Sequence, residues 1–128
     1  MLGTLPPSAH THAAFEGIPP TAAFVHIHGP EAMTDVMVNP GRPGQADVTI
    51  RVSREDMSLF PAKDVRLVLE PPEPGGRAIE QKAVEQADQT WLVSGITVSE
   101  PGIWTVRVIV RPDSGEPIDL DAPIVIER

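Results

Sequence analysis

Cysteine is absent from the 128-residue sequence, which rules out disulfides, thiolate metal sites and a cysteine nucleophile. Tyrosine is absent too, and two Trp and three Phe bring the aromatic share to only 4 %. Basic residues are few: 10 Lys and Arg stand against 18 Asp and Glu, a formal charge of −8. Nucleic acid and anionic membrane surfaces are bound chiefly through clustered Lys and Arg, and those here are scattered, so neither is an expected partner. A negative field instead gathers cations near the surface, nonspecifically and less so in salt. No apolar run approaches the roughly 20 residues that cross a bilayer. The first residues also lack the charged segment and apolar stretch of a secretory signal.

Catalytic patterns are equally scarce. Ser8, Ser53, Ser58, Ser94, Ser99 and Ser114 lie in no nucleophile elbow, and there is no HExxH. The paired carboxylates Glu55-Asp56 and Asp119 with Asp121 have no partners at an informative spacing. Asp119 and Asp121 share one strand face and are expected to protect an edge strand from sheet-to-sheet association. The expectation is a protein that is not an enzyme.

What the chain has in excess is proline. Fifteen prolines are about 12 % of the residues, more than twice the usual share of about 5 %, and ten glycines accompany them. Proline removes a backbone donor and fixes φ, so it collects in turns and at strand edges. Residues 1–23 hold two Pro-Pro pairs among small residues and read as a Pro-rich linker or lead-in. From Phe24 to the end at residue 128, short alternating runs are separated by turn signals, the spacing of a sandwich or barrel. The runs are Phe24–His28, Met33–Val38, Val48–Val52, Val65–Leu69, Ala78–Val84, Thr90–Ile96, Ile103–Val110 and Ile118–Ile126.

They predict an all-β domain, an immunoglobulin-like antiparallel β-sandwich of seven or eight strands. Period-two alternation turns Val48, Ile50, Val52, Val65, Leu67, Leu69, Trp104, Val106, Val108 and Val110 inward. Without tyrosine or cysteine the sandwich has neither a tyrosine corner nor an inter-sheet disulfide. Ala83–Asp88 has an alternative local reading as one helical turn, and the PPEPGG stretch reads as a long hairpin loop. Met57 is assigned to core or loop packing.

The segment from Phe24 to Val38 is where chemistry is expected. On a strand, His26 and His28 share a face and stand about 6.5 to 7 Å apart at the backbone, a spacing at which two imidazoles converge on one ion. Past the Gly29-Pro30 turn, the same parity puts Thr34, Val36 and Val38 on the core side and Met33, Asp35 and Met37 on the opposite face. Thioether sulfur is a soft donor suited to Cu(I), so histidine beside methionine selects copper, whereas zinc is held by His, Cys and carboxylate, and calcium by oxygen. His10 and His12 repeat the spacing in the lead-in, as extra ligands or as plain tail residues. The competing structural reading has an exposed histidine pair and methionines covering a sandwich edge.

The string FVHIHGPEAMTDVMVNPGRPGQADVTI, with PAKDVRLVLEPP, WLVSGITVSEPGIWTVRV and the closing DAPIVI, resembles the soluble C-terminal domain of CopD and YcnJ-type bacterial copper-transport proteins, and more distantly the YtkA and FixH group. The likeness runs over roughly residues 22 to 127. It implies a periplasmic or extracytoplasmic domain that holds Cu(II) or Cu(I) and exchanges it with the transmembrane part of a parent protein or with a periplasmic copper carrier; LGTLPP looks like the exit from a last membrane helix. The ligands implied by position are His26, His28 and Met33. Met37, His10 and His12 have weaker or no support from the resemblance, and Asp35 is either a ligand or an acceptor that orients an imidazole. Two histidines on one strand leave coordination positions vacant, which a second copy of the chain in a homodimer could fill. The alternative is a metal-free β-sandwich interaction module that uses an exposed edge or the Pro-rich loops.

Overall fold

In the computed structural model, described here for residues 18–73 and 76–128, the chain forms nine strands and no helix among the described residues. They are β1 (Ala23–His28), β2 (Met33–Asn39), β3 (Gly44–Ser53), β4 (Ala62–Glu70), β5 (Ile79–Lys82), β6 (Val84–Glu85), β7 (Trp91–Val98), β8 (Gly102–Pro112) and β9 (Ile118–Ile126). One sheet has the order β1-β2-β3-β7-β6 and the other β5-β4-β8-β9, with every pairing antiparallel. The all-β sandwich is therefore as expected. From β2 onward its strand order is the A-B-E-D and C′-C-F-G arrangement of immunoglobulin-like domains. β1 is an addition to that plan, hydrogen-bonded outside β2 and lying alongside β9 of the other sheet.

The ten residues expected to point inward all do so. Val48, Ile50, Val52, Val65, Leu67, Leu69, Trp104, Val106, Val108 and Val110 are each at most 2 % exposed and form one core between the sheets. The indole N–H of Trp104 donates to the Glu100 carbonyl at 3.0 Å, so this large side chain is buried without an orphaned donor.

Eight sequence runs become nine strands because the run at 78–84 divides. Up to Lys82 it pairs with β4; from Val84 it pairs with β7 in the opposite sheet. Ala83 is the pivot, buried and donating its N–H to the Val65 carbonyl at 2.8 Å. The helical turn considered for Ala83–Asp88 does not form: Val84 and Glu85 are strand, and the chain turns only at residues 87–89. The Asp88 side chain holds that turn by accepting from the N–H and hydroxyl of Thr90.

Between β3 and β7 the register slips. Ser94 and Gly95 together oppose Asp47, and Gly95 adopts φ +70 while its N–H donates to the Asp47 carboxylate at 3.0 Å. The PPEPGG stretch falls between β4 and β5, which pair as a hairpin, with Pro74 and Gly75 outside the described residues. β9 is an edge strand, and Asp119 and Asp121 stand exposed on it with Arg107 of β8 at 3.5 and 3.8 Å. Of the core or loop packing expected of Met57, the structure shows the loop. The residue sits in an exposed turn at φ +73 rather than in the interior. Among the described residues no helix is long and apolar enough to cross a membrane.

Candidate metal centre

β1 alternates Ala23, Val25 and Ile27 toward the core side with Phe24, His26 and His28 on the other face. Its register with β2 sets His28 opposite Met33, His26 opposite Asp35 and Phe24 opposite Met37. β3 continues these rows with Ser53, Arg51 and Thr49. The parity expected of β2 is present: Val36 and Val38 belong to the core, Thr34 is fully buried, and Met33, Asp35 and Met37 take the outer face.

The two imidazoles lie on one side, ring centres 6.1 Å apart and planes at 60°. If copper–nitrogen distances resemble the roughly 2.0–2.1 Å of zinc sites, two rings on one ion have their centres within roughly 6 Å, so the pair stands at the outer end of that range. His28 is exposed, and a side-chain rotation can close the remainder. Directly opposed residues of an antiparallel pair have Cβ atoms about 4.5–5.5 Å apart and diagonal ones about 7–8 Å, which makes Met33 a neighbour of both histidines and Met37 a diagonal neighbour of His26. Met33 is 5 % exposed yet lies outside the inter-sheet core cluster. Its sulfur is thus covered on the outer face, not sealed between the sheets.

Asp35 is the unusual member of this surface. It occupies an outward position but is only 2 % exposed, and its Oδ1 shares a 2.6 Å hydrogen bond with Nδ1 of His26, whose side chain is 41 % exposed. Among the described residues His26 is the side chain that hydrogen-bonds the Asp35 carboxylate. Arg51, its neighbour on β3, instead directs Nη2 to the Met57 carbonyl at 3.5 Å. Ser53, opposite Met33, carries a buried hydroxyl with no hydrogen-bond partner among the described residues.

His26, His28, Met33 and Asp35 are therefore brought together, Met37 stands one row away, and His12, like His10, lies outside the described residues. Among the described residues no three His, Cys, Asp or Glu side chains gather around one point. The donor set on offer is two imidazoles and a thioether, which suits copper better than the harder or thiolate-seeking ions. Arg51 and Ser53 were not placed beside the histidines by the sequence reading, although the alternation of Val48, Ile50 and Val52 already assigns both to the outer face. A surface cavity of about 400 Å³, bounded in part by Ala23, Arg42, Val125 and Arg128, sits at the opposite end of β1 and shares no residue with this surface.

No family model and no curated protein sequence matches the chain. Among solved structures it is similar to FetP of uropathogenic E. coli strain F11, an "as isolated" crystal structure of protein expressed recombinantly in the periplasm of E. coli. The TM-score is 0.62 with 10 % sequence identity, over 83 % of this chain and 95 % of that one. At that identity the likeness is one of fold.

Proposed function

We propose that this chain is an extracytoplasmic copper-binding domain of CopD or YcnJ type, part of a copper transport or resistance system, that holds copper reversibly for transfer. The observation that carries the reading is the placement of His26 and His28 on one face of an edge strand, with the Met33 thioether directly across from His28. Edge placement leaves one side of the ion open, which is what exchange with a transmembrane channel or a carrier requires. Imidazole nitrogens hold Cu(II) and the thioether adds affinity for Cu(I). The likeness to FetP, a protein produced in the periplasm, supports the extracytoplasmic part of the proposal.

Calorimetric titration of Cu(II), with chelator competition for Cu(I), tests it on the wild type and on the His26→Ala/His28→Ala double variant. Loss of binding in the variant is expected. Equal affinity in both would remove the two histidines from any copper site.

A metal-free interaction module is the second reading. Ile103 and Val125, paired across β8 and β9, are 61 % and 53 % exposed, an apolar spot on the outer face of the second sheet. A protein partner lost on Ile103→Asp/Val125→Asp, with no dependence on metal, would favour it.

A further inference from the structure

A carboxylate that is 2 % exposed is costly to desolvate unless something compensates it, and among the described residues the side chain that hydrogen-bonds Asp35 is His26. At 2.6 Å the contact is at least as short as charge-assisted N–H···O hydrogen bonds, about 2.7–2.9 Å. An ionised carboxylate can only accept, so Nδ1 must carry the proton that is shared. On a neutral ring the lone pair is then left on Nε2, the nitrogen turned away from Asp35.

We infer that Asp35 is a positioning residue: its buried carboxylate fixes the Nδ1–H tautomer and the ring orientation of His26, so that Nε2 is the metal-binding atom. The consequence for copper rests on the function proposed above, whereas the placement of the proton does not. Asp35 is accordingly no ligand. Its Oδ1 is committed to Nδ1 of the imidazole, and its charge reaches the ion through the ring, raising the basicity of Nε2. The geometry also separates the two histidines in role, because His28 stands opposite Met33 and among the described residues no carboxylate is hydrogen-bonded to its ring. His26 is the pre-set ligand, and His28 is the adjustable one.

Long-range ¹⁵N–¹H correlation spectra of the metal-free wild-type protein, recorded with the imidazoles neutral, read the tautomer directly. A protonated Nδ1 and an unprotonated Nε2 are expected for His26, with His28 showing the mixture of an unconstrained ring. A protonated Nε2 on His26 overturns the proposal, whether or not the protein binds copper. The near-isosteric Asp35→Asn variant, checked for a wild-type unfolding profile, should let the Nε2–H form appear and lower copper affinity about 10- to 100-fold, the usual effect of losing an outer carboxylate. Unchanged affinity in a folded Asp35→Asn variant would likewise overturn it. Failure of the wild type to bind copper, with the Nδ1–H tautomer intact, would sink the proposed function and leave the tautomer assignment standing.

Discussion

Gly29 and Leu120 touch across the two sheets at the turn that follows His28. A Cβ on Gly29 would overlap the Leu120 Cδ2 methyl group and come within 3.0 Å of the Ala32 carbonyl oxygen. Leu120 is itself buried, so it has no solvent to swing into. The Gly29 N–H donates to that same Ala32 carbonyl at 3.0 Å, closing the turn that sets His28 against Met33. Close approach is therefore the reason for glycine at this position. Gly29→Ala should destabilise the fold by about 1–3 kcal/mol through overpacking. Adding Leu120→Ala should return part of the Gly29→Ala penalty, since the two sites share one space. Urea unfolding of the two single variants and the double variant checks this, and strict additivity would remove the contact from the account.

The inter-sheet core was legible because strand side chains repeat every two residues, and Val48, Ile50, Val52 and the Trp104–Val110 stretch follow that period without a break. The same arithmetic put His26 with His28, and Met33 with Asp35 and Met37. What it could not give was the depth of an outward position. Asp35 is buried because of what lies on either side of it, and that depends on the register with β1 and β3. The division at Ala83 was equally hidden, since a strand that changes sheets keeps its composition. Extra residues such as Gly95 in the bulge shift pairing by one without altering the apolar pattern that reveals a strand.

Trp104 is the largest fully buried side chain and reaches across to the Glu100 carbonyl. Trp104→Ala should cost about 3–5 kcal/mol, combining lost contact with an unfilled cavity. Trp104→Phe should cost less, although it gives up the indole hydrogen bond. Denaturant midpoints at constant m-value are the measurement. A loss under about 1 kcal/mol for the alanine variant would contradict the packing described.

Two exposed turns are set by aspartates. Asp56 is held below the ordinary aspartate range first by the Ser58 hydroxyl and then by the Ser58 N–H, and Asp88 by the same two groups of Thr90. A carboxyl whose folded pKa is depressed adds stability above its unfolded pKa and loses that contribution as pH falls through the folded value. The window opens below about pH 4. Asp56→Ala and Asp88→Ala should each flatten the decline of stability with acid there, modestly, since both groups are exposed to solvent. Unfolding midpoints taken at stepped pH would show slopes identical to the wild type if these hydrogen bonds contributed nothing.

Met33 and Met37 separate the metal reading from the packing one. Both lie on the outer face of β2, but Met33 is nearly inaccessible and faces His28, while Met37 is half-buried opposite Phe24. Leucine conserves most of the volume of methionine and removes the sulfur, so either substitution should change stability by less than about 1.5 kcal/mol. If the thioether of Met33 is a copper(I) donor, Met33→Leu should weaken Cu(I) retention against a chromophoric chelator and leave Cu(II) binding, carried by the imidazoles, close to wild type. Met37→Leu should leave both nearly unchanged. A sulfur that only fills space predicts the opposite pattern, with copper affinities alike in all three proteins and any difference confined to unfolding. Parallel titration and urea unfolding on the same preparations distinguish the two, and equal Cu(I) affinity in the wild type and Met33→Leu would take the thioether out of the site.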